Sequence, residues 1–237
     1  MKRACVAAVL ASWAVHGLAL VAMLTVLAPG VDMQATVASR AAYIAAHPDA
    51  WRLGWFAWQV TAASDLVVSL ALVGVAWRSE WSRMWALFGL GATLLALMPD
   101  QLGEYMMVTT QVEAARLAAG GHELLEQYLK CEANALMLSG TFGCAGYVAM
   151  SLGWLQTVRL LARENRPAES GAVRAFTWAG AAMCVAFAAC AEATAWSVSH
   201  ATVDGGYPGF TIAFALNAVA FPVLMLWMLA MAWLLRP

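Results

Sequence analysis

Six separate stretches of the sequence are long and apolar enough to cross a lipid bilayer as α-helices. The hydrocarbon core of a bilayer is about 30 Å thick, and a helix needs about 20 residues to span it. The sequence therefore predicts an all-α integral membrane bundle that forms a single transmembrane domain over residues 1–237. Its six spans are predicted near residues 4–28, 53–77, 84–104, 133–157, 175–197 and 209–235.

The composition argues against a water-soluble domain. Charged residues make up 11% of the chain and hydrophobic residues 63%, whereas soluble domains carry about 25% charged residues. The net charge of −1 provides no basic surface for nucleic acid, so no nucleic-acid partner is expected. The five cysteines form no C-x-x-C pair, and neither a zinc site nor a thiol redox centre is indicated.

The basic residues predict the orientation of the bundle, because they accumulate on the cytoplasmic side of membrane proteins. With the N-terminus inside, four basic residues fall outside: Arg40, Arg52, Arg116 and Lys130. The others fall inside, at Lys2, Arg3, Arg78, Arg83, Arg159, Arg163, Arg166, Arg174 and Arg236. We therefore expect a multi-pass protein of the bacterial inner membrane with both termini in the cytoplasm. Because its apolar run continues to Leu27, the first span is interpreted as a retained signal-anchor and not as a cleaved signal peptide.

Three further helical features are predicted between the spans. The apolar run of the third span is short and is followed by Pro99, which indicates a kinked helix that continues outward. A short helix is expected over residues 33–46, between the first two spans. Helix-forming residues broken by Gly120 and Gly121 predict a hairpin between spans three and four, with its second helix starting near His122. We expect these short helices to lie outside the membrane and to cap the bundle.

The layout of the chain resembles a known bacterial family. The features are a short first helix, an outer loop that ends in "HPDAWRLGWFAWQ", an acidic hairpin after the third span and a hydrophobic closing helix. Together they are similar to a family of polytopic membrane proteins known as a domain of unknown function. The resemblance implies a multi-pass inner-membrane protein, and it carries no established activity or catalytic residue.

Polar residues inside the spans are the candidates for function, because such groups are costly in hydrocarbon and often mark ligand, ion or proton pathways. His16 and Asp65 are central in the first two spans. The remaining candidates lie toward the outer leaflet: Asp100, Glu104, Glu132, Asn134, Glu192 and Asn217. If all of them converge, they line a ligand-binding or proton-coupling cavity that opens outward and narrows to His16 and Asp65. Alternatively, they are hydrogen-bonding groups that hold helices together or mark helix ends.

Known cofactor and nucleophile patterns are missing from the sequence. A retinal protein needs a lysine within a span, and the lysines are Lys2 and Lys130. His16 is the sole histidine within a span, which argues against a bis-histidine haem, and the Glu-x-x-His pairs of di-iron bundles are absent. No metal site is predicted, and the catalytic residues and the cofactor stay unknown. The sequence thus favours a protein that is not an enzyme.

Three functional hypotheses remain open at this stage. The first is a bundle that binds or transports a small solute, an ion or a lipid-like ligand through the outward-opening cavity. The second is a non-catalytic membrane subunit or partner-binding protein, and the third is an intramembrane enzyme that acts on a lipid or a quinone. The expected partners are the lipid bilayer and either another membrane protein or a second copy of the chain. Substitution of Asp65 and Glu192 separates the first two hypotheses.

Overall fold

The computed structural model of the chain describes residues 1–165 and 171–236. Among these residues 90% are helical and none belongs to a β-strand. Six helices in the described part are long and apolar enough to cross a membrane: Lys2–Val31, Pro48–Ala76, Glu80–Gly120, His122–Glu164, Gly171–Ser199 and Phe210–Leu234. The chain is therefore an all-α, multi-pass membrane protein, as predicted. The orientation of its termini stays a prediction, and Arg166, one of the residues used for it, lies outside the described residues.

The spanning helices are interrupted twice by wider, π-helical turns. These π-helical segments are Met23–Leu27, between α1 and α2, and Met137–Gly143, between α7 and α8. In chain order the α-helices are α1 (Lys2–Ala22), α2 (Ala28–Val31), α3 (Val37–Ala46), α4 (Pro48–Ala76), α5 (Glu80–Val108), α6 (Thr110–Leu117), α7 (His122–Leu136), α8 (Cys144–Asn165), α9 (Gly171–Ser199) and α10 (Phe210–Leu234).

The third span continues through its proline, as predicted. Helix α5 contains Pro99 and ends only at Val108. A proline in a helix interior removes one backbone hydrogen bond, and membrane helices tolerate it where neighbouring helices pack closely. The close neighbour here is α8, because a Cβ atom on Gly146 would lie 2.7 Å from the Cα atom of Ala96. The extension of α5 carries its polar residues to one end of the bundle.

The short helices begin where local capping dictates. Helix α3 starts at Val37, four residues later than predicted, because the Thr36 side chain accepts a hydrogen bond from the Ser39 backbone N–H and so caps the helix. Helix α7 starts at His122, as predicted, directly after Gly121, whose φ of 140° is accessible to glycine. Unlike the predicted hairpin helix, α7 does not end before the fourth span but continues into it.

The spanning helices form a closed ring. Each one packs against the next in the chain, and the last, α10, packs against α1. Helices α3, α6 and the start of α7 contact one another at one end of this ring. We call this end of the ring, where α3, α6 and α7 meet, the capped end. Whether it faces the outside of the cell stays a prediction.

Two apolar clusters fill the interior of the ring, and polar residues lie between them. One cluster occupies the end opposite the cap and includes Val9, Val68, Ala92, Trp154 and Met228. The other lies beneath the short helices and includes Leu27, Ile44, Trp55, Met107 and Tyr128. Along α1, α4 and α5 the residues between the two clusters include the buried polar side chains His16, Asp65, Asp100 and Glu104.

Candidate functional site

Asp65 on α4 points into the bundle and is 7% exposed. Ser12 Oγ on α1 donates a hydrogen bond to Asp65 Oδ1 over 3.1 Å. His16 Nε2, one turn further along α1, lies 3.7 Å from Asp65 Oδ2. Asp65 therefore faces the interior and has polar partners on the neighbouring span, as a buried carboxyl group requires.

The orientation of the His16 ring determines which nitrogen faces the carboxyl group. Nδ1 lies 2.9 Å from the backbone oxygen of Ser12, and a carbonyl oxygen can only accept, so Nδ1 carries a hydrogen. Nε2 is therefore either the acceptor of a proton from Asp65 or, in the imidazolium, the donor to it. His16 and Asp65 are thus arranged to share one proton, at a separation slightly longer than a direct hydrogen bond.

Asp100 on α5 is a second buried carboxyl group and is held by two hydroxyl groups of the neighbouring helix. Ser139 Oγ donates to its Oδ1 over 2.9 Å, and the Tyr147 hydroxyl donates to its Oδ2 over 2.7 Å. Ser139 belongs to the π-helical segment Met137–Gly143, and π-helical turns occur frequently at functional sites. Gly143 leaves room for Asp100, since a Cβ atom there would lie 2.9 Å from the Cβ atom of Asp100.

Glu104 follows Asp100 by one helical turn, on the same face of α5. It is 3% exposed, and Gln101 Nε2 donates a hydrogen bond to its Oε2 over 3.1 Å. The backbone oxygen of Ala135 and the side chain of Ser139 approach the neighbouring Gly103 closely. Glu104 is therefore enclosed between α5 and the junction of α7 with the π-helical segment.

The three carboxyl groups form a row that rises toward the capped end. Ser69 of α4 is hydrogen-bonded to Thr93 of α5 over 2.7 Å, which sets the register of these antiparallel helices. From that contact, Asp65 lies about one turn toward the capped end, Asp100 about two turns and Glu104 about three turns. Electrostatic interactions link the groups, since Tyr147 interacts with all three carboxyl groups and Asp65 interacts with Asp100. We call His16, Asp65, Tyr147, Asp100 and Glu104 the carboxyl row.

The carboxyl row contains more acidic than basic groups. Within the part of the chain that the structure describes, the hydrogen-bond and ion-pair partners of Asp65, Asp100 and Glu104 are Ser, His, Tyr and Gln side chains, with no Lys or Arg. One imidazolium can balance one carboxylate. The other two carboxyl groups need a bound proton or cation to become neutral.

Glu132 has a different environment, because its carboxylate is paired with the guanidinium of Arg40. The two residues are 2% and 0% exposed, and their hydrogen bonds are 3.1 Å and 2.6 Å long. The Tyr128 hydroxyl adds a third bond, over 2.8 Å. Burial alone would lower the pKa of Arg40, but the hydrogen bond and the charge of Glu132 outweigh it and raise the pKa. This ion pair fastens the short helix α3 to α7.

The remaining predicted site residues do not join the row. Asn134, Glu192 and Asn217 are exposed on the surface of the bundle. Successive residues of a helix are about 100° apart, so the position of Glu192, two residues from the buried Cys190 and Thr194, lies on the opposite side of α9. The predicted residues therefore do not all converge: the structure groups His16, Asp65, Asp100 and Glu104, and places Glu132 in a separate ion pair.

Sequence reasoning missed several residues that hold the site together. Ser12 precedes His16 by four residues, and this i,i+4 spacing places both on one face of a helix; it was a usable signal. Tyr147 is one of several hydroxyl-bearing residues of its span, with Ser139 and Ser151 among the others, so it was a weaker signal. Nothing in the sequence places Arg40 beside Glu132, and Arg40 contributes there only to the predicted orientation.

The described residues contain no group of three or more His, Cys, Asp or Glu side chains arranged to hold a metal ion. Comparisons of the chain with protein-family models, with curated proteins and with solved structures find no match. The likeness to a family of polytopic membrane proteins therefore rests on the layout of the sequence alone. The geometry of the carboxyl row is the basis for a functional conclusion.

Proposed function

We propose that this protein is a carrier of the bacterial inner membrane, with both termini in the cytoplasm, that binds and exchanges protons at the carboxyl row. The observation that supports the proposal is the set of three buried carboxyl groups with a single imidazole and no Lys or Arg partner among the described residues. The ion that the carrier moves across the membrane would be the proton itself.

Charge neutrality is the physical argument for proton binding. A charged carboxylate is expensive in a low-dielectric interior unless it is paired, and Glu132 shows how this chain pairs one, with Arg40. The row has no equivalent guanidinium. Hydroxyl and amide groups already occupy hydrogen-bonding positions around the carboxyl groups of the row. A proton is small enough to neutralise a carboxylate there without displacing them.

Access to the row is proposed to lie at the capped end. Beyond Asp65, toward the opposite end, Trp154 Nε1 donates a hydrogen bond to Ser69 Oγ over 2.8 Å, and the apolar cluster around Trp154 and Met228 follows. That cluster separates the row from the other membrane face. Helices α3, α6 and α7 cover the row on its own side, so the proposed carrier would be closed to both faces of the membrane in this arrangement.

A second candidate function is a non-catalytic membrane subunit whose polar side chains are structural. The Arg40–Glu132 ion pair favours it, since that pair joins a short helix to a spanning helix and leaves no exposed charge. In this case the carboxyl row would only hold helices together. The lipid bilayer and a membrane protein partner, or a second copy of the chain, would then be the binding partners.

Proton flux into liposomes separates the two functions. The purified protein is reconstituted with a pH-sensitive dye inside the liposomes, and a potassium diffusion potential drives protons inward. The proposal expects faster acidification than in protein-free liposomes, loss of that difference in Asp65→Asn, and normal flux in the control Glu123→Gln, whose side chain is exposed on α7. Equal acidification with and without the wild-type protein would favour the structural role.

A further inference from the structure

A cavity of about 500 Å³ lies at the capped end, between the end of the first span and the start of α10. Its volume is within the range of about 300–1,000 Å³ that is usual for small-ligand sites. The carboxyl row does not contribute to it. Its walls come from the π-helical segment Met23–Leu27, from residues 28–34 and from residues 207–214.

The lining of this cavity is divided into an apolar part and a polar part. Met23, Leu24, Phe210 and Phe214 form the apolar part. Leu24 and Phe214 are 66% and 60% exposed, so the apolar side of the cavity opens sideways between α1 and α10, where the chain faces lipid. A ligand that enters here comes from the bilayer.

The polar part contains an acidic group and no basic one. Asp32 and Gln34 contribute to it, and Asp32 Oδ1 accepts a hydrogen bond from the Gln34 backbone N–H over 3.0 Å. Tyr207 contributes its ring, because its hydroxyl group is buried. The ring of Tyr207 lies between the cavity and Arg40, whose guanidinium carbon is 5.3 Å from the ring centre.

We propose that this cavity binds a membrane lipid whose head group carries an ammonium group, with the ammonium near Asp32 and an acyl chain between Leu24 and Phe214. An anionic head group is disfavoured, because Asp32 would repel it and Arg40, 0% exposed and paired with Glu132, cannot reach it. The charge at the polar end therefore selects among lipids, while the apolar opening admits their chains.

A second cavity offers a matched control for ordinary contact with lipid. It has about 480 Å³, lies between α9 and α10, and is lined by Ala186, Thr211, Ile212, Ala215, Leu216 and Val219. None of these side chains is charged. Lipids that touch this groove should show no preference for a head group.

Photochemical labelling in nanodiscs tests the proposal. The probes are phosphatidylethanolamine and phosphatidylglycerol with the same diazirine-bearing acyl chain, and mass spectrometry maps the labelled residues of the full-length protein. We expect phosphatidylethanolamine to label residues 23–34, Tyr207, Phe210 and Phe214 about two- to fivefold more than phosphatidylglycerol, the range for one exposed charge. Labelling of residues 215–219 should be the same with both probes.

Two variants make the test decisive. Asp32→Asn keeps the size of the side chain and should abolish the preference between the probes. Ala28→Trp should fill the cavity and reduce labelling by both probes, whereas Val219→Trp in the control groove should not. Equal labelling of the wild-type cavity by the two probes would overturn the proposal, as would a preference that survives in Asp32→Asn. Asp32 is exposed, so Asp32→Asn should fold normally. The comparison of the two probes in Asp32→Asn therefore stands even if Ala28→Trp does not fold.

Discussion

His16 on α1 directs Nε2 toward Asp65 on α4, with 3.7 Å between the nitrogen and the carboxyl oxygen Oδ2. Because Nδ1 is fixed by its contact with the Ser12 backbone oxygen, the proton that the pair shares can move only at Nε2. This relationship joins the first two spans at the deepest point of the carboxyl row.

Asp65→Asn is predicted to separate folding from proton exchange. The amide keeps the hydrogen-bonding capacity that Ser12 uses, so the free energy of unfolding should change by no more than about 1 kcal/mol. The amide has no ionisable proton, so the proton flux in liposomes should be lost. Thermal unfolding in detergent and the liposome assay measure the two effects; a variant that folds and still carries protons at the wild-type rate would contradict the role of Asp65.

Tyr147→Phe is predicted to slow exchange without unfolding the protein. The substitution removes the hydroxyl that donates to Asp100 Oδ2 over 2.7 Å and keeps the ring that packs between helices. Loss of one hydrogen bond to a buried group costs about 1–3 kcal/mol. The flux should fall, and Thr177→Val, which removes a hydroxyl that donates to the Val173 backbone oxygen of its own helix, should leave the flux unchanged. An unaltered proton flux in Tyr147→Phe would show that the Tyr147 hydroxyl takes no part in proton exchange.

Arg40→Ala is predicted to be strongly destabilising, because it leaves the Glu132 carboxylate buried without a counter-charge. Breaking a buried ion pair by removing one partner costs about 3–5 kcal/mol. Arg116→Ala serves as the control, since its pair with Glu113 is about half exposed and such pairs contribute about 1 kcal/mol or less. Equilibrium unfolding in a denaturing detergent compares the two variants. A similar loss of unfolding free energy in both would show that the buried pair does not stabilise the contact between α3 and α7.

Gly153→Ala tests the close contact between α5 and α8 that positions the row. A Cβ atom on Gly153 would collide with the backbone of Gly89, so the helices would have to separate, at a cost of about 1–3 kcal/mol. Gly91→Ala on α5 is the matched control, because a Cβ atom there meets nothing within 4 Å. Unfolding measurements should show a loss for the first variant and none for the second; equal stability would mean that the contact tolerates side chains.

Much of the fold could be predicted from the sequence because hydrocarbon imposes a length and an apolar composition on each span. The six spans, the continuation of α5 through Pro99 and the start of α7 at His122 all follow from such local rules. The candidate site could be predicted only in part. Asp65 and His16 lie in adjacent spans, whereas the exposed position of Glu192 depends on the rotation of α9 about its axis, which the small residues on nearly every side of that helix do not indicate.

The pairing of Arg40 with Glu132 also could not be predicted from the sequence. The two residues are 92 positions apart, and the sequence places both in segments near the membrane surface. Their contact depends on how α3 folds back over α7. Similarly, the π-helical segment that presents Ser139 to Asp100 has no sequence pattern of its own, so the partners of Asp100 became visible only in the folded chain.

The protonation state of the carboxyl row is the central claim, and infrared difference spectroscopy measures it most directly. The purified protein at neutral pH should show the band of protonated carboxyl groups, and the band should lose intensity in Asp100→Asn and in Glu104→Gln, whereas Asp65→Asn reports where the proton shared with His16 lies. The control Glu123→Gln should keep the full band. A wild-type protein without this band at neutral pH, or a band that is the same in all four variants, would contradict the account.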